Sequence, residues 1–137
     1  MIGFDVVRPT FAQIDLDTLR ENYRAIREFV SGERGTQPEL IAVVKANAYG
    51  IGGAKAAPAL AAAGCTTFFV ATLDESTALR GILGKEATIM MFNGVLPGTA
   101  KDTHANGIIP VLNDLGQLQE WHDLAAGSDT PLPAVLH

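Results

Sequence analysis

Short apolar runs rich in β-branched and aromatic residues recur along the chain, at residues 11–15, 40–45, 67–71, 87–92, 108–112 and 133–137. Several are nearly continuous in apolar character, as strands covered on both faces should be, and this points to a parallel sheet. Helical patterns fill the intervals. Over residues 18–30, Leu19, Tyr23, Ile26 and Val30 share one face, and Thr18-x-x-Glu21 has capping-box spacing. A second helix is expected over residues 53–63, closed by Gly64, although Pro58 removes a hydrogen bond within it. Thr72-x-x-Glu75 precedes a third amphipathic pattern and Asp114-x-x-Gln117 a fourth. Residues 93–105, rich in Gly, Pro and Thr, hold at most a short helix.

Alternating strands and crossover helices leave two architectures: an open doubly wound sheet, or the first part of a closed β/α barrel. A complete barrel typically needs about 250 residues, and the chain has 137. It stops on an apolar strand at His137, which favours a truncated barrel, expected as one partial domain over residues 1–137. With 47% hydrophobic residues a core can form. Ten Lys and Arg against fifteen Asp and Glu give a net charge of −5, which argues against nucleic acid or anionic lipid as partners. Cys65 has no second cysteine to pair with, so it reads as a small buried hydrophobe in a reducing compartment. Neither a signal peptide nor a membrane span is apparent, and the expectation is a cytoplasmic protein.

Nucleotide motifs fail on spacing. The glycines Gly50, Gly52 and Gly53 would need a further glycine where Lys55 stands, and Gly84-Lys85 lacks the rest of a phosphate loop. His104, His122 and His137 lack metal-ligand spacing, so no metal site is expected. The informative segment is AVVKANAYG, residues 42–50. Lys45 ends a strand, where a parallel β/α fold opens its ligand cleft. Partial loss of water there disfavours an ammonium and raises the share of neutral amine, as imine formation with a carbonyl cofactor requires. Tyr49 offers a hydroxyl beside glycines that would let backbone approach an anion. On spacing alone, the commoner reading of a strand-end lysine is solvated or salt-bridged, of Tyr49 a packing tyrosine, and of the glycines a turn.

AVVKANAYG, with the glycine-rich turn and Ala-rich helix that follow, resembles the cofactor-lysine segment of alanine racemases. QIDLDTLRENYRAIR (13–27) and AAAGCTTFFVATLDESTALR (61–80) resemble the same family's first and third strands with their helices. The resemblance implies fold class α/β: a truncated TIM-type β/α barrel that binds pyridoxal 5'-phosphate, with about six parallel strands and intervening helices. It also implies that the family's C-terminal β domain is absent from this chain. Lys45 matches the lysine that bonds covalently to the cofactor and later exchanges a proton with the substrate; Tyr49 matches the tyrosine that contacts the phosphate. Ile51 stands where family members commonly carry histidine. An isomerase of L- and D-alanine serving peptidoglycan synthesis is implied, a homodimer when whole, with this chain alone inactive. The alternatives are another barrel-type pyridoxal-phosphate enzyme, a decarboxylase or broad racemase, and a non-catalytic cofactor carrier.

Overall fold

A computed structural model describes residues 12–31 and 38–137. Its helices are α1 (Leu16–Ser31), α2 (Gly53–Ala62), α3 (Leu73–Leu83), α4 (Ala100–Ala105) and α5 (Leu115–Ala126). Strands β1 (Ile41–Val43), β2 (Thr67–Val70), β3 (Thr88–Met91), β4 (Ile108–Leu112) and β5 (Val135–Leu136) form one parallel sheet in sequence order. The α/β class and the partial barrel are as expected, with five strands among the described residues rather than six.

The missing strand is the one expected at residues 11–15. Phe11 lies outside the described residues, and residues 12–15 have no ladder partner. Asp15 instead starts α1: its Oδ1 accepts from the amides of Asp17 (2.9 Å) and Thr18 (3.0 Å). The cap therefore falls three residues before Thr18, which sits inside the helix. An extended run cannot continue through a residue whose carboxylate is committed to a helix N-terminus.

The other helix ends follow their local chemistry. Helix α2 runs through Pro58, because Ala56 and Ala57 on its inner face are fully buried and that burial outweighs one lost hydrogen bond. It closes as expected on Gly64, at φ +101°, with the Gly64 amide donating to Ala61 (2.9 Å) and the Cys65 amide to Leu60 (3.0 Å). Thr72 and Asp114 accept from Glu75 and Gln117, as N-caps of α3 and α5.

The sheet has two unlike faces. Residues paired in register share a face, so Ala42, Phe68, Ile89 and Ile108 form one row and Val43, Phe69, Met90 and Ile109 the next. Phe68, Ile89 and Ile108 lie under the helices, at 0%, 0% and 2% exposure. Phe69, Met90 and Ile109 on the other face are only half-buried, and Val43 is exposed. Helices thus cover the outer face of a curved wall, and the face a closed barrel would turn inward stays open. Tyr23 of α1 and Cys65 join the main core on the outer side.

Candidate active site

Alternation along β1 puts Ile41 and Val43 on the open face, and Lys45, two residues past the strand, joins that face beside Phe92, with Val44 buried at 6% exposure. Lys45 is half-buried at the carboxyl end of the strand. Its Nζ lies 5.3 Å from the centroid of the Phe92 ring, which stacks on Phe69 at 4.2 Å and 11°. The two rings, from the ends of neighbouring strands, form an apolar shelf that keeps the amine at the rim. A cation at this separation is drawn to the ring face.

What ends β1 is unusual. Ala46, Asn47, Ala48 and Tyr49 all have φ between +52° and +55°, one turn of left-handed helix built without glycine. Each such residue costs roughly 1–2 kcal/mol, since Cβ crowds the following carbonyl oxygen. The residue types reduce that cost where they can, with two alanines and an asparagine, which tolerates this region better than most residues. The rest is supplied by hydrogen bonds and burial. The Ala48 amide donates to Val44 (2.9 Å), Asn47 Oδ1 accepts from the Gly53 amide (2.8 Å), and the Ala48 methyl is 4% exposed. From α3, Glu75 reaches the turn: Oε1 accepts from the Ala46 amide (2.7 Å) and Oε2 from the Ala71 amide (2.8 Å).

Lys45 therefore opens the turn and Tyr49 closes it, with the Tyr49 side chain 65% exposed. The glycines that follow serve a different purpose from the one their spacing suggests. Gly50 and Gly52 have φ +88° and +100°, and an added Cβ would meet open space at either. Their amides donate within the turn, Gly50 to Ala46 (3.0 Å) and Gly52 to Asn47 (3.0 Å), and that of Gly53 goes to the Asn47 side chain. They are glycines because of backbone conformation, and their N–H groups are not free to bind an anion.

Sequence reasoning picked out Lys45 and Tyr49 but missed Glu75, Asn47 and the Phe69–Phe92 pair. The Thr72-x-x-Glu75 spacing did mark Glu75, as a reciprocal cap. Only half of that box forms, because the carboxylate turns away to Ala46 and Ala71. Among the described residues no cluster of His, Cys, Asp or Glu could hold a metal, and no helix is long and apolar enough to cross a membrane.

A lysine at the rim of a parallel β/α wall, ahead of a left-handed turn, is a narrow arrangement, and known proteins share the sequence around it. The chain is 46% identical to alanine racemase of Brucella ovis over 123 residues, 90% of this chain and 30% of that protein. Crystallographic alanine racemase of Bartonella henselae, with covalently bound pyridoxal phosphate, superposes with a TM-score of 0.79 at 37% identity over 88% of this chain and 32% of its own. Histidine racemase of Leuconostoc mesenteroides gives 0.71 at 26% identity, covering 87% and 30%. This chain thus spans about 30% of the length of the Brucella protein. With residues 14–137 matching the model of the alanine racemase N-terminal domain, the chain belongs to that family.

Proposed function

We propose that the protein carrying this chain is a pyridoxal-phosphate-dependent racemase of alanine, and that this chain supplies the wall bearing the cofactor lysine. The observation that carries the reading is the half-buried Lys45 amine, held at the strand-end rim 5.3 Å from the Phe92 ring. Family membership supports it, as does the covalent pyridoxal phosphate of the Bartonella relative.

The donor set fits such a cofactor. A primary amine faces the open side of the wall beside an apolar aromatic shelf, with a phenol at the far end of the same turn. Lys45 would hold the aldehyde carbon and Tyr49 a phosphate oxygen. The glycine amides are committed within the turn, so they supply no phosphate contact. When bound, pyridoxal phosphate supplies an aldehyde that condenses with amines and a ring that withdraws electrons from the substrate's α-carbon. Lys45 Nζ would hold and return the substrate's α-proton on its own face, as base and acid in turn. Inversion needs a second proton carrier on the opposite face. By family resemblance that is a tyrosine of a C-terminal β domain, contributed across a homodimer. The proposal extends to a cytoplasmic enzyme that makes D-alanine for peptidoglycan.

Expression of the complete reading frame that contains this chain tests the reading. D-alanine should form from L-alanine, and borohydride reduction with pyridoxal phosphate should label Lys45 stoichiometrically. Lys45→Ala should abolish both, and Tyr49→Phe should weaken cofactor retention. Carbon dioxide release without inversion would instead assign a decarboxylase, and cofactor binding without turnover a carrier. The histidine racemase neighbour favours a second reading, the same reaction on another amino acid; a panel of L-amino acids separates the two. This chain expressed alone should take up little cofactor and turn over none.

A further inference from the structure

We propose that Glu75 is a positioning residue for Lys45: its carboxylate ties the left-handed turn after Lys45 to the end of β2 and so holds the amine at the rim. The inference rests on the reading of Lys45 as the reactive amine.

The geometry is specific. Glu75 lies in the first turn of α3, and its own amide donates to Thr72 Oγ1 at 3.3 Å. Reciprocal capping would send its carboxylate back to the Thr72 amide. The carboxylate instead reaches across 29 residues of sequence to the Ala46 amide, the first peptide after Lys45, and with its second oxygen takes the Ala71 amide, the first after β2. Both amides stand just past the end of a parallel ladder, since Ala71 follows β2 directly and Ala46 comes three residues after the end of β1. One acceptor group therefore satisfies two strand-end donors and fixes their separation. Ala46 also begins the left-handed stretch, the point at which the backbone either turns left or continues otherwise. A carboxylate suits this role because it offers two acceptor oxygens and no donor. An amide offers one of each, so glutamine would leave an N–H facing an N–H at one of the two sites.

The link to function is one of lever and pivot. Lys45 Nζ sits at the end of a flexible side chain whose Cα is one peptide from the clamp, and its place over Phe92 depends on the direction in which the chain leaves β1. Nothing in this arrangement requires Glu75 to touch cofactor or substrate. Its loss should therefore act through the placement of Lys45.

The test compares Glu75→Gln with Asp114→Ala in the complete protein. The second change removes the N-cap of α5, on another part of the wall, and controls for lost stability. Two quantities are read: hydrogen exchange at the Ala46 and Ala71 amides without cofactor, and the pyridoxal phosphate concentration that half-saturates borohydride-trapped labelling of Lys45. Glu75→Gln should speed exchange at Ala46 or Ala71, whichever loses its acceptor, and raise the half-saturating concentration, each by about tenfold, as expected for one lost charge-assisted hydrogen bond. Asp114→Ala should move neither. The inference is overturned if both Ala46 and Ala71 exchange at the parental rate in Glu75→Gln, if labelling is unchanged, or if Asp114→Ala reproduces both effects. Should the parental protein fail to label Lys45, the cofactor reading falls, and the exchange at Ala46 and Ala71 still decides whether the clamp exists.

Discussion

Replacing Ala46 or Ala48 by glycine distinguishes a left-handed turn from the right-handed helix that an Ala-rich segment ordinarily forms. In a right-handed helix either change should destabilise by roughly 1 kcal/mol. At φ +52° and +53° the outcome differs. Glycine relieves the crowding of Cβ, worth roughly 1–2 kcal/mol, and gives back about 0.4–1 kcal/mol through the freedom it adds to the unfolded chain. Ala46 is exposed, so its methyl adds no burial, and Ala46→Gly should stabilise by about 0.5–1 kcal/mol. The Ala48 methyl is buried at 4% exposure. Removing it forfeits about 0.8 kcal/mol, so Ala48→Gly should come out near neutral. Equilibrium urea unfolding of both variants, at m-values matching the parent, measures the two. If Ala46→Gly destabilises by about 1 kcal/mol, the backbone after Lys45 is right-handed and the account of the site's geometry is wrong.

Three further expectations follow from the core and the loops. Phe68→Ala, on the helix-covered face at 0% exposure, should cost about 3–5 kcal/mol in this chain, and Phe69→Ala on the open face clearly less; equal losses in urea unfolding would contradict the two-faced sheet. Gly94 has φ +69°, and a Cβ there would lie 2.5 Å from the Val111 carbonyl oxygen, so Gly94→Ala should lower the thermal midpoint by several degrees in calorimetry. Burial pushes the Cys65 thiol above its ordinary value of 9.0 and the Tyr23 phenol above 10.0. Both acids hold their protons more tightly when folded. Their stabilisation is therefore complete below about pH 9 and is lost as pH rises above it. Cys65 should resist thiol reagents at pH 8 until urea unfolds the chain, and labelling of the native protein at the unfolded rate would contradict this.

Much of the wall was legible in the sequence because its physics is local. The apolar runs at residues 67–71, 87–92 and 108–112 are nearly continuous because both faces of those strands carry apolar side chains, one under helices and one toward the open side. Gly64 and Asp114 act where spacing put them. The run at residues 11–15 misled because alternation does not reveal that Asp15 is committed to capping. Thr18 was then credited with a cap that belongs three residues earlier. The site was half legible. Lys45 and Tyr49 stand out by residue type and by family likeness, but the shape of the backbone between them does not. Ala, Asn and Ala together favour no left-handed turn, and one of the contacts it makes is to a carboxylate 29 residues downstream, which no local pattern reveals. The glycines were misread for the same reason: their torsions and internal hydrogen bonds, invisible in spacing, leave no amide free for an anion.

The order of the sheet also bears on how the chain acquires its shape. Every strand pairs with the next one along the sequence, Ile41 with Thr67, Thr67 with Thr88, Ile89 with Ile108 and Val111 with Val135. Among the described strands no pairing waits for a distant segment, so each closure spans a single crossover and carries a modest loop-entropy cost. A nascent chain can add one strand at a time as it leaves the ribosome, β1 and Lys45 ahead of β3 and β4.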